Sequence, residues 1–108
     1  MPRPIQVRCR DAQHPDGGHA VLTVEGLPSF AGDASFEIRR FDIPEQYLGP
    51  AGWQVAEHVL TAERADWDGR ALTLALGPAV VDHFHLGQVV EIHLVALDAA
   101  GQFAWPDV

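Results

Sequence analysis

The sequence predicts an all-β sandwich in a single domain that covers residues 1–108. Apolar residues recur at every second position through most of the chain, which is the pattern of half-buried strands. Segments rich in glycine, proline and aspartate fall at short intervals between these stretches, as expected for the turns of a small β-protein. The length of 108 residues and the hydrophobic content of 47% are those of one globular domain.

The first two predicted strands form a hairpin. They cover residues 5–10 and 19–27, and the segment 14–18 contains a proline and two glycines at which the chain reverses. The residues expected to face the core are Ile5, Val7, Cys9, Ala20, Leu22 and Val24.

The middle of the chain is less regular. Residues 34–42 alternate and are predicted to form a strand. Its inward residues are Phe36 and Ile38, and its outward residues are Glu37 and Arg39. Two prolines and two glycines in segment 44–52 prevent a regular ladder, so it is predicted to be an irregular connection that crosses between the sheets or caps one end. Residues 53–62 are predicted to form the next strand.

The last third of the chain contains the clearest patterns. Residues 66–69 are predicted to form a turn, and residues 71–76 a strand with every second leucine facing the core. Segment 77–83 is predicted to hold one helical turn, because proline suits the first helical position. Residues 89–97 are predicted to form a central strand, since only Glu91 and His93 interrupt their apolar character.

The chain is predicted to end in a second hairpin. Residues 98–101 form its loop, with Gly101 at a position that needs a positive φ, and residues 102–105 form the return strand. About seven strands in a chain of this size are typical of an immunoglobulin-like sandwich, and a transthyretin-like or other Greek-key arrangement fits equally well. Trp53 is predicted to be a large core aromatic that anchors the preceding loop.

The charge of the chain excludes two classes of partner. It has 15 acidic and 7 basic residues, a formal net charge of -8, and no lysine or asparagine. Nucleic-acid binding needs a basic stripe and is not expected, and neither is binding to anionic membranes. No stretch reaches the roughly 20 apolar residues of a bilayer span. The missing lysine and asparagine, both with AT-rich codons, indicate a GC-rich bacterial source.

The cysteine content and the N-terminal sequence predict a cytoplasmic location. Cys9 is the only cysteine and cannot form an internal disulfide, which fits a reducing compartment. Its place in the alternation predicts a buried small hydrophobe rather than a reactive thiol. The first residues lack the continuous apolar core of a signal peptide, so export is not expected.

The histidines and aspartates do not predict a metal site. His83 and His85 are two residues apart, but their side chains diverge if the segment is helical, and further ligands (Asp82, His93 or His58) depend on the fold. His14 and His19 are interpreted as exposed residues beside a turn. Asp66-Trp67-Asp68-Gly69 resembles the start of a calcium loop but lacks the later ligands, so a β-turn is predicted. No metal and no cofactor are expected.

Catalytic motifs are also missing. Neither serine stands in a Gly-x-Ser-x-Gly elbow, and no glycine-rich phosphate loop precedes a helix. Glu37, Glu57 and Glu91 remain open as carboxylates that meet in space, as in glycoside hydrolysis. A sandwich with short loops leaves little room for a deep pocket, so no catalytic residue is assigned and the chain is predicted not to be an enzyme.

Three aromatic residues are the candidate protein contacts: Trp67, Phe103 and Trp105. Exposed tryptophan is enriched at interfaces, although packing at the edge of the core also explains both tryptophans. Segment 102–105 is uncharged, so as an edge strand it would accept a partner strand or pair with its own copy in a homodimer. Coverage of this edge by the arm of residues 2–4 is the alternative.

Two phrases of the sequence carry a resemblance. They are Leu48-Gly49-Pro50-Ala51-Gly52-Trp53-Gln54, which leads into Val55-Ala56-Glu57-His58, and Leu76-Gly77-Pro78-Ala79-Val80-Val81-Asp82-His83. They are similar to stretches in small accessory β-domains encoded near bacterial type VI secretion spikes and related phage-tail-like injection machines. The resemblance implies a non-enzymatic module that docks on or beside a spike, or that helps to load an effector.

The function predicted from the sequence is therefore that of a soluble protein-interaction or structural accessory module, such as an adaptor on a secretion spike or effector. The alternative is a sandwich that binds a small ligand or a carbohydrate. In that case Trp67 or Trp105 would be the platform on which the ligand stacks.

Overall fold

The computed structural model describes residues 3–11, 18–30, 32–41, 43–84 and 87–105. Within these ranges the chain forms ten strands in two sheets and one helical turn, which confirms the predicted all-β sandwich. The elements are β1 (Arg3–Pro4), β2 (Gln6–Asp11), β3 (Ala20–Glu25), β4 (Phe36–Arg39), β5 (Tyr47–Gly49), β6 (Gly52–Gln54), β7 (Arg64–Trp67), β8 (Ala71–Leu76), α1 (Pro78–Val81), β9 (Gln88–Leu94) and β10 (Ala99–Trp105).

One sheet has six strands in the order β1-β10-β9-β4-β5-β6, and the other has four in the order β2-β3-β8-β7. Except for β1, which runs parallel to β10, neighbouring strands are antiparallel. β9 lies between β10 and β4, so its predicted central position is confirmed. The described residues contain no helical segment with the length and hydropathy that a bilayer span requires.

The core lies between the two sheets. Every second residue of β3, β4, β8 and β9 is buried, as the alternation predicted, because side chains on a strand point to opposite faces in turn. The fully buried residues with the largest side chains are Phe36, Leu22, Ile38, Leu48, Leu72, Leu74, Leu76, Ile92 and Leu94. Cys9 is buried within this core, as predicted from its place in the alternation.

The segment 44–62 differs from its prediction. Part of 44–52 forms a hairpin, β5 and β6, whose tight turn contains Pro50 and places Gly52 at a φ of 127°. The predicted strand 53–62 is wrong, because regular pairing stops at Gln54. The chain then forms an isolated bridge from Leu60 to Phe36 and enters β7. The apolar residues in between resemble a strand in sequence but are exposed.

The C-terminal hairpin is also shifted from its prediction. The turn occupies residues 95–98, and β10 already begins at Ala99. Asp98, not Gly101, adopts the positive φ, at 46°. Aspartate tolerates this conformation better than most residues, because its short side chain forms local hydrogen bonds.

Gly101 is required for a different reason. A Cβ atom at this position would lie 2.6 Å from the carbonyl oxygen of Ile5 and 3.0 Å from Cγ2 of Val7. The chain passes this close because Ile5 joins β1 in one sheet to β2 in the other. Glycine therefore permits the first segment of the chain to cross beside β10.

β1 covers the start of the C-terminal strand. Arg3 pairs with Ala99, and its amide donates a hydrogen bond of 2.7 Å to the carbonyl oxygen of Asp98. The amide of Ile5 donates to the carbonyl oxygen of Ala100 at 3.1 Å. The start of β10 is therefore paired on both sides, but the predicted coverage differs in place, because β1 pairs with Ala99 and Ala100 and not with segment 102–105.

Candidate functional site

The outward face of the six-stranded sheet carries a concave region of about 430 Å³. Most of its lining side chains are charged or polar. They are Glu37, Arg39, Tyr47, Glu57, Glu91, His93, Asp98 and Ala100, and we call this set the polar face. It is the candidate functional site because it brings four carboxylates, one guanidinium and one imidazole together in one concavity.

β4 and β9 supply the floor of the polar face. Glu37 lies opposite His93 in the ladder, and Arg39 lies opposite Glu91. Residues directly opposite each other in an antiparallel pair are close enough for their side chains to interact. The intervening residues of both strands are buried, so the burial of the core fixes the outward direction of these four side chains.

Other elements supply the rest of the lining. β5, the loop 55–59, the turn 95–98 and β10 contribute, in that order, Tyr47, Glu57, Asp98 and Ala100. The loop 55–59 leaves the sheet after β6 and returns where Leu60 pairs with Phe36. Because the loop does not pair with β4 along its length, Glu57 reaches the polar face from outside the sheet.

Arg39 and Glu91 form an ion pair with 3.0 Å between Nη2 and Oε1. The Arg39 guanidinium lies 5.4 Å from the centre of the Phe41 ring, a cation–π contact. Nε of Arg39 is buried, and no hydrogen-bond acceptor among the described residues reaches it. The pair is partly exposed, so it contributes little to stability and mainly holds the two side chains in one orientation.

His93 lies between two carboxylates. Its Nδ1 is 3.4 Å from Oε1 of Glu37, and its Nε2 is 2.9 Å from Oδ1 of Asp98. The Glu37 side chain is 13% exposed, whereas the Asp98 side chain is 67% exposed. We call these two contacts the His93 bridge, since they connect β4, β9 and the turn 95–98.

The environment of His93 favours its charged form. Partial burial by itself would lower the pKa of His93, because burial disfavours a charge. The hydrogen bonds with Asp98 and Glu37, together with the negative charges of these carboxylates, act in the opposite direction and prevail. The pKa of His93 is therefore raised above its ordinary value.

The predicted contact residues lie away from the polar face. Trp67 is half-buried on β7, with its ring 6.2 Å from that of Phe30. Phe103 is only 4% exposed and packs edge-on against Phe84 at 6.0 Å, and the half-buried Trp105 lies 5.9 Å from the same ring. The structure therefore places these three aromatic residues in two separate clusters that both pack against the core.

The residues considered for metal binding do not converge. Among the described residues, no group of three or more histidine, cysteine, aspartate or glutamate side chains has the geometry to hold a metal ion. His19 pairs with Glu63 at 3.6 Å, and His83 follows α1, while His14 and His85 lie outside the described residues.

Asp68 accepts hydrogen bonds from the amides of Ala71 and Arg70 in the turn before β8. These bonds, the one from Ala71 first, lower the pKa of Asp68. A turn is present, but it begins at Asp68 and not at residue 66 as predicted, because Asp66 and Trp67 pair with β8 as the end of β7.

Part of the polar face could be predicted from the sequence. Glu37, Glu57 and Glu91 were considered there as carboxylates that meet, and all three line the concavity. The alternation of β4 and β9 was the signal for their neighbours Arg39 and His93, but the strand order that joins them was not predicted.

Comparisons of the chain with family models, with curated proteins and with solved structures find no match.

Proposed function

We propose that the chain is a non-enzymatic binding module that docks a protein partner on its polar face, and that the partner presents arginine or lysine side chains there. The observation that carries this proposal is the composition of the concavity. Its lining holds four carboxylates against Arg39 and His93. A surface with this excess of negative charge favours a positively charged partner.

The charge of the whole chain supports the same partner. A net charge of -8 on 108 residues attracts a basic surface over distances beyond direct contact and speeds its encounter with the polar face. Arg39 and His93 already neutralise part of the local charge, which leaves room for one or two cationic side chains.

Exposed apolar side chains beside Glu57 favour a protein over a free cation. Val55 and Val59, at 68% and 51% exposed, flank this carboxylate in the loop 55–59. An apolar rim next to fixed charges suits an interface in which a basic side chain is accompanied by hydrophobic neighbours.

The state of the carboxylates supports binding rather than catalysis. Glu91 is paired with Arg39 and Glu37 with His93, so neither is held as an unpaired general base. Among the described residues, the lining includes a single hydroxyl group, that of Tyr47, and no serine, threonine or cysteine that could act as a nucleophile.

The resemblance to accessory domains of injection machines suggests the partner. The phrase 48–58 covers most of β5, all of β6 and most of the loop that carries Glu57, and the phrase 76–83 contains α1. Nε1 of Trp53 donates a hydrogen bond of 3.2 Å to the carbonyl oxygen of His83, so the two phrases are in contact. We therefore propose a secretion spike or effector as the partner, met in the bacterial cytoplasm, whose reducing conditions suit a chain with a single cysteine.

A second candidate function is the binding of a small polar ligand, such as a sugar, in the same concavity. A volume of about 430 Å³ is within the range of small-molecule sites. Carboxylates and a guanidinium offer hydrogen bonds to hydroxyl groups, and Tyr47 offers a ring. Trp67 and Trp105 are less suitable platforms than the sequence suggested, because each packs against a phenylalanine.

Two charge reversals of equal size test the proposal. Glu57→Lys places a positive charge in the polar face, while Glu25→Lys does so at the exposed end of β3 in the other sheet. Tagged wild type and both variants are used to purify partners from the native host at low and high salt. A partner retained by wild type and Glu25→Lys but lost with Glu57→Lys supports the polar face.

Retention by all three proteins would contradict it. A melting temperature raised by a sugar in wild type and Glu25→Lys but not in Glu57→Lys would instead favour the small-ligand function.

A further inference from the structure

The His93 bridge depends on protonation. Both ring nitrogens face carboxylate oxygens, at 3.4 Å to Glu37 and 2.9 Å to Asp98. A neutral imidazole carries one N–H, so it donates to only one carboxylate and presents a lone pair to the other. Only the imidazolium donates to both.

We propose that the His93 bridge is a pH-dependent switch, which binds the carboxylate of Asp98 while His93 is protonated and releases it to solvent when the proton is lost. The switch acts on a turn, since Asp98 belongs to the segment 95–98 that joins β9 to β10. The chemistry of the switch does not depend on the proposed function. Only its effect on a partner rests on the polar face being the binding site.

Burial decides which carboxylate is released. The Glu37 side chain is 13% exposed and projects from a strand that is paired on both sides, so leaving its charge without a donor is costly. The Asp98 side chain is 67% exposed and regains its hydrogen bonds from water by rotating outward. The remaining proton of neutral His93 therefore stays on Nδ1, facing Glu37, and Nε2 loses its proton to solvent.

The backbone of the turn stays in place when the side chain moves. The carbonyl oxygen of Asp98 accepts from the amide of Arg3, and the Asp98 amide donates to the carbonyl oxygen of Val95 at 3.3 Å. These bonds do not involve the carboxylate. The switch thus changes the position of a charge on the surface and leaves the hairpin intact.

The other charged groups around His93 do not replace the lost proton. On the neighbouring rung, Glu91 is paired with Arg39, and the loop 55–59 contributes the further negative charge of Glu57. β10 contributes the uncharged Ala100, and β5 contributes Tyr47. Loss of the proton changes the lining from two net negative charges to three, and it exposes the Asp98 carboxylate.

This change predicts tighter binding of a basic partner at higher pH. Because the pKa of His93 is raised by its contacts with Asp98 and Glu37, the transition lies at a higher pH than that of an ordinary histidine. One additional exposed charge pair corresponds to an affinity gain of about threefold.

NMR titration of the whole chain tests the switch. The imidazole signals of His93 and the side-chain carboxyl carbons of Asp98 and Glu37 are followed against pH in wild type, Asp98→Asn, Glu37→Gln and the control His83→Gln. We expect the Asp98 carboxyl signal to change with the same midpoint as His93, and the His93 midpoint to fall in both bridge variants but not in the control. The proposal would be overturned if the His93 midpoint were the same in all four proteins. It would also be overturned if the Asp98 carboxyl signal did not change at the midpoint of His93. Amide spectra verify that each variant is folded.

A binding experiment separates this inference from the proposed function. An octa-arginine peptide is titrated into wild type and His93→Gln above and below the His93 midpoint. Affinity that rises about threefold with pH in wild type only supports both ideas. If the peptide does not bind, the proposed function loses support while the NMR result still decides the switch. Binding with no pH dependence in wild type counts against the consequence of the switch for a partner.

Discussion

Trp53 shows how one side chain connects distant parts of the sequence. Its ring packs against the core and lies 4.6 Å from the guanidinium of Arg40, and its Nε1 donates to the carbonyl oxygen of His83. The sequence predicted a core aromatic at this position, and the structure places it half-buried at the end of the six-stranded sheet. It therefore holds the β5–β6 hairpin to the segment after α1.

We predict that Trp53→Ala lowers the free energy of unfolding by about 2 to 4 kcal/mol, somewhat below the value for a fully buried tryptophan. Trp53→Phe keeps most of the packing and removes the hydrogen bond to His83, so it should cost about 1 kcal/mol. Denaturant unfolding of the three proteins measures both values. If both variants lost the same free energy of unfolding, the hydrogen bond to His83 and not the packing of the ring would be the main contribution of Trp53 to stability.

His93 makes stability depend on pH at a single residue. Its pKa is raised in the folded chain, so its protonation stabilises the fold fully below the ordinary pKa of an unfolded histidine. This stabilisation is lost as the pH rises through the raised value. We predict that His93→Gln lowers the urea midpoint, relative to wild type, at about pH 5.5 and much less at about pH 8.5. His83→Gln is the control. If the difference in urea midpoint between wild type and His93→Gln increased with pH, the predicted direction of the pH dependence would be wrong.

At the scale of single elements, Gly101 determines whether β1 and β10 lie together. We predict that Gly101→Ala destabilises the fold by about 1 to 3 kcal/mol, because the new methyl group meets the backbone oxygen of Ile5 rather than a mobile side chain. Hydrogen exchange should show the amides of Arg3 and Ile5 losing protection before those of β3. If all amides lose protection equally, the damage is global and the crossing of Ile5 is not its source.

Some elements were predictable and others were not, for physical reasons. β8 was predicted with its exact bounds and β2, β3 and β9 within a few residues, because their apolar alternation follows directly from burial on one face. The β5–β6 hairpin was missed because its Gly49 and Pro50 are residues that usually interrupt strands. Val55 and Val59 suggested a strand, although local composition does not reveal whether a partner strand is present.

For the whole molecule, β1 is the element that pairs with the outer side of the start of β10. We predict that removal of residues 1–4 leaves a folded chain that self-associates, because the start of β10 then offers unpaired backbone groups. Light scattering of the truncated and full-length chains at several concentrations measures this. A truncated chain that stays the same size as the full-length protein would show that β2, which also runs beside β10, protects this edge.

The candidate site was only partly predictable because it is a property of the whole molecule. Three carboxylates were proposed from the sequence, but Asp98 and Tyr47 join them only through the strand order β10-β9-β4-β5. That order depends on contacts between residues far apart in the chain, which no local pattern records. The interpretation of Phe103 and Trp105 as contact residues was likewise made without knowledge of the strand order.

The parallel arrangement of β1 and β10 has a mechanical consequence. A force that pulls the two ends of the chain apart moves these strands in opposite directions along their length, so their hydrogen bonds are loaded in shear. β1 is two residues long, so it should detach first, as a small extension before the sandwich ruptures. The chain would then lengthen slightly under tension while its polar face and core stay folded.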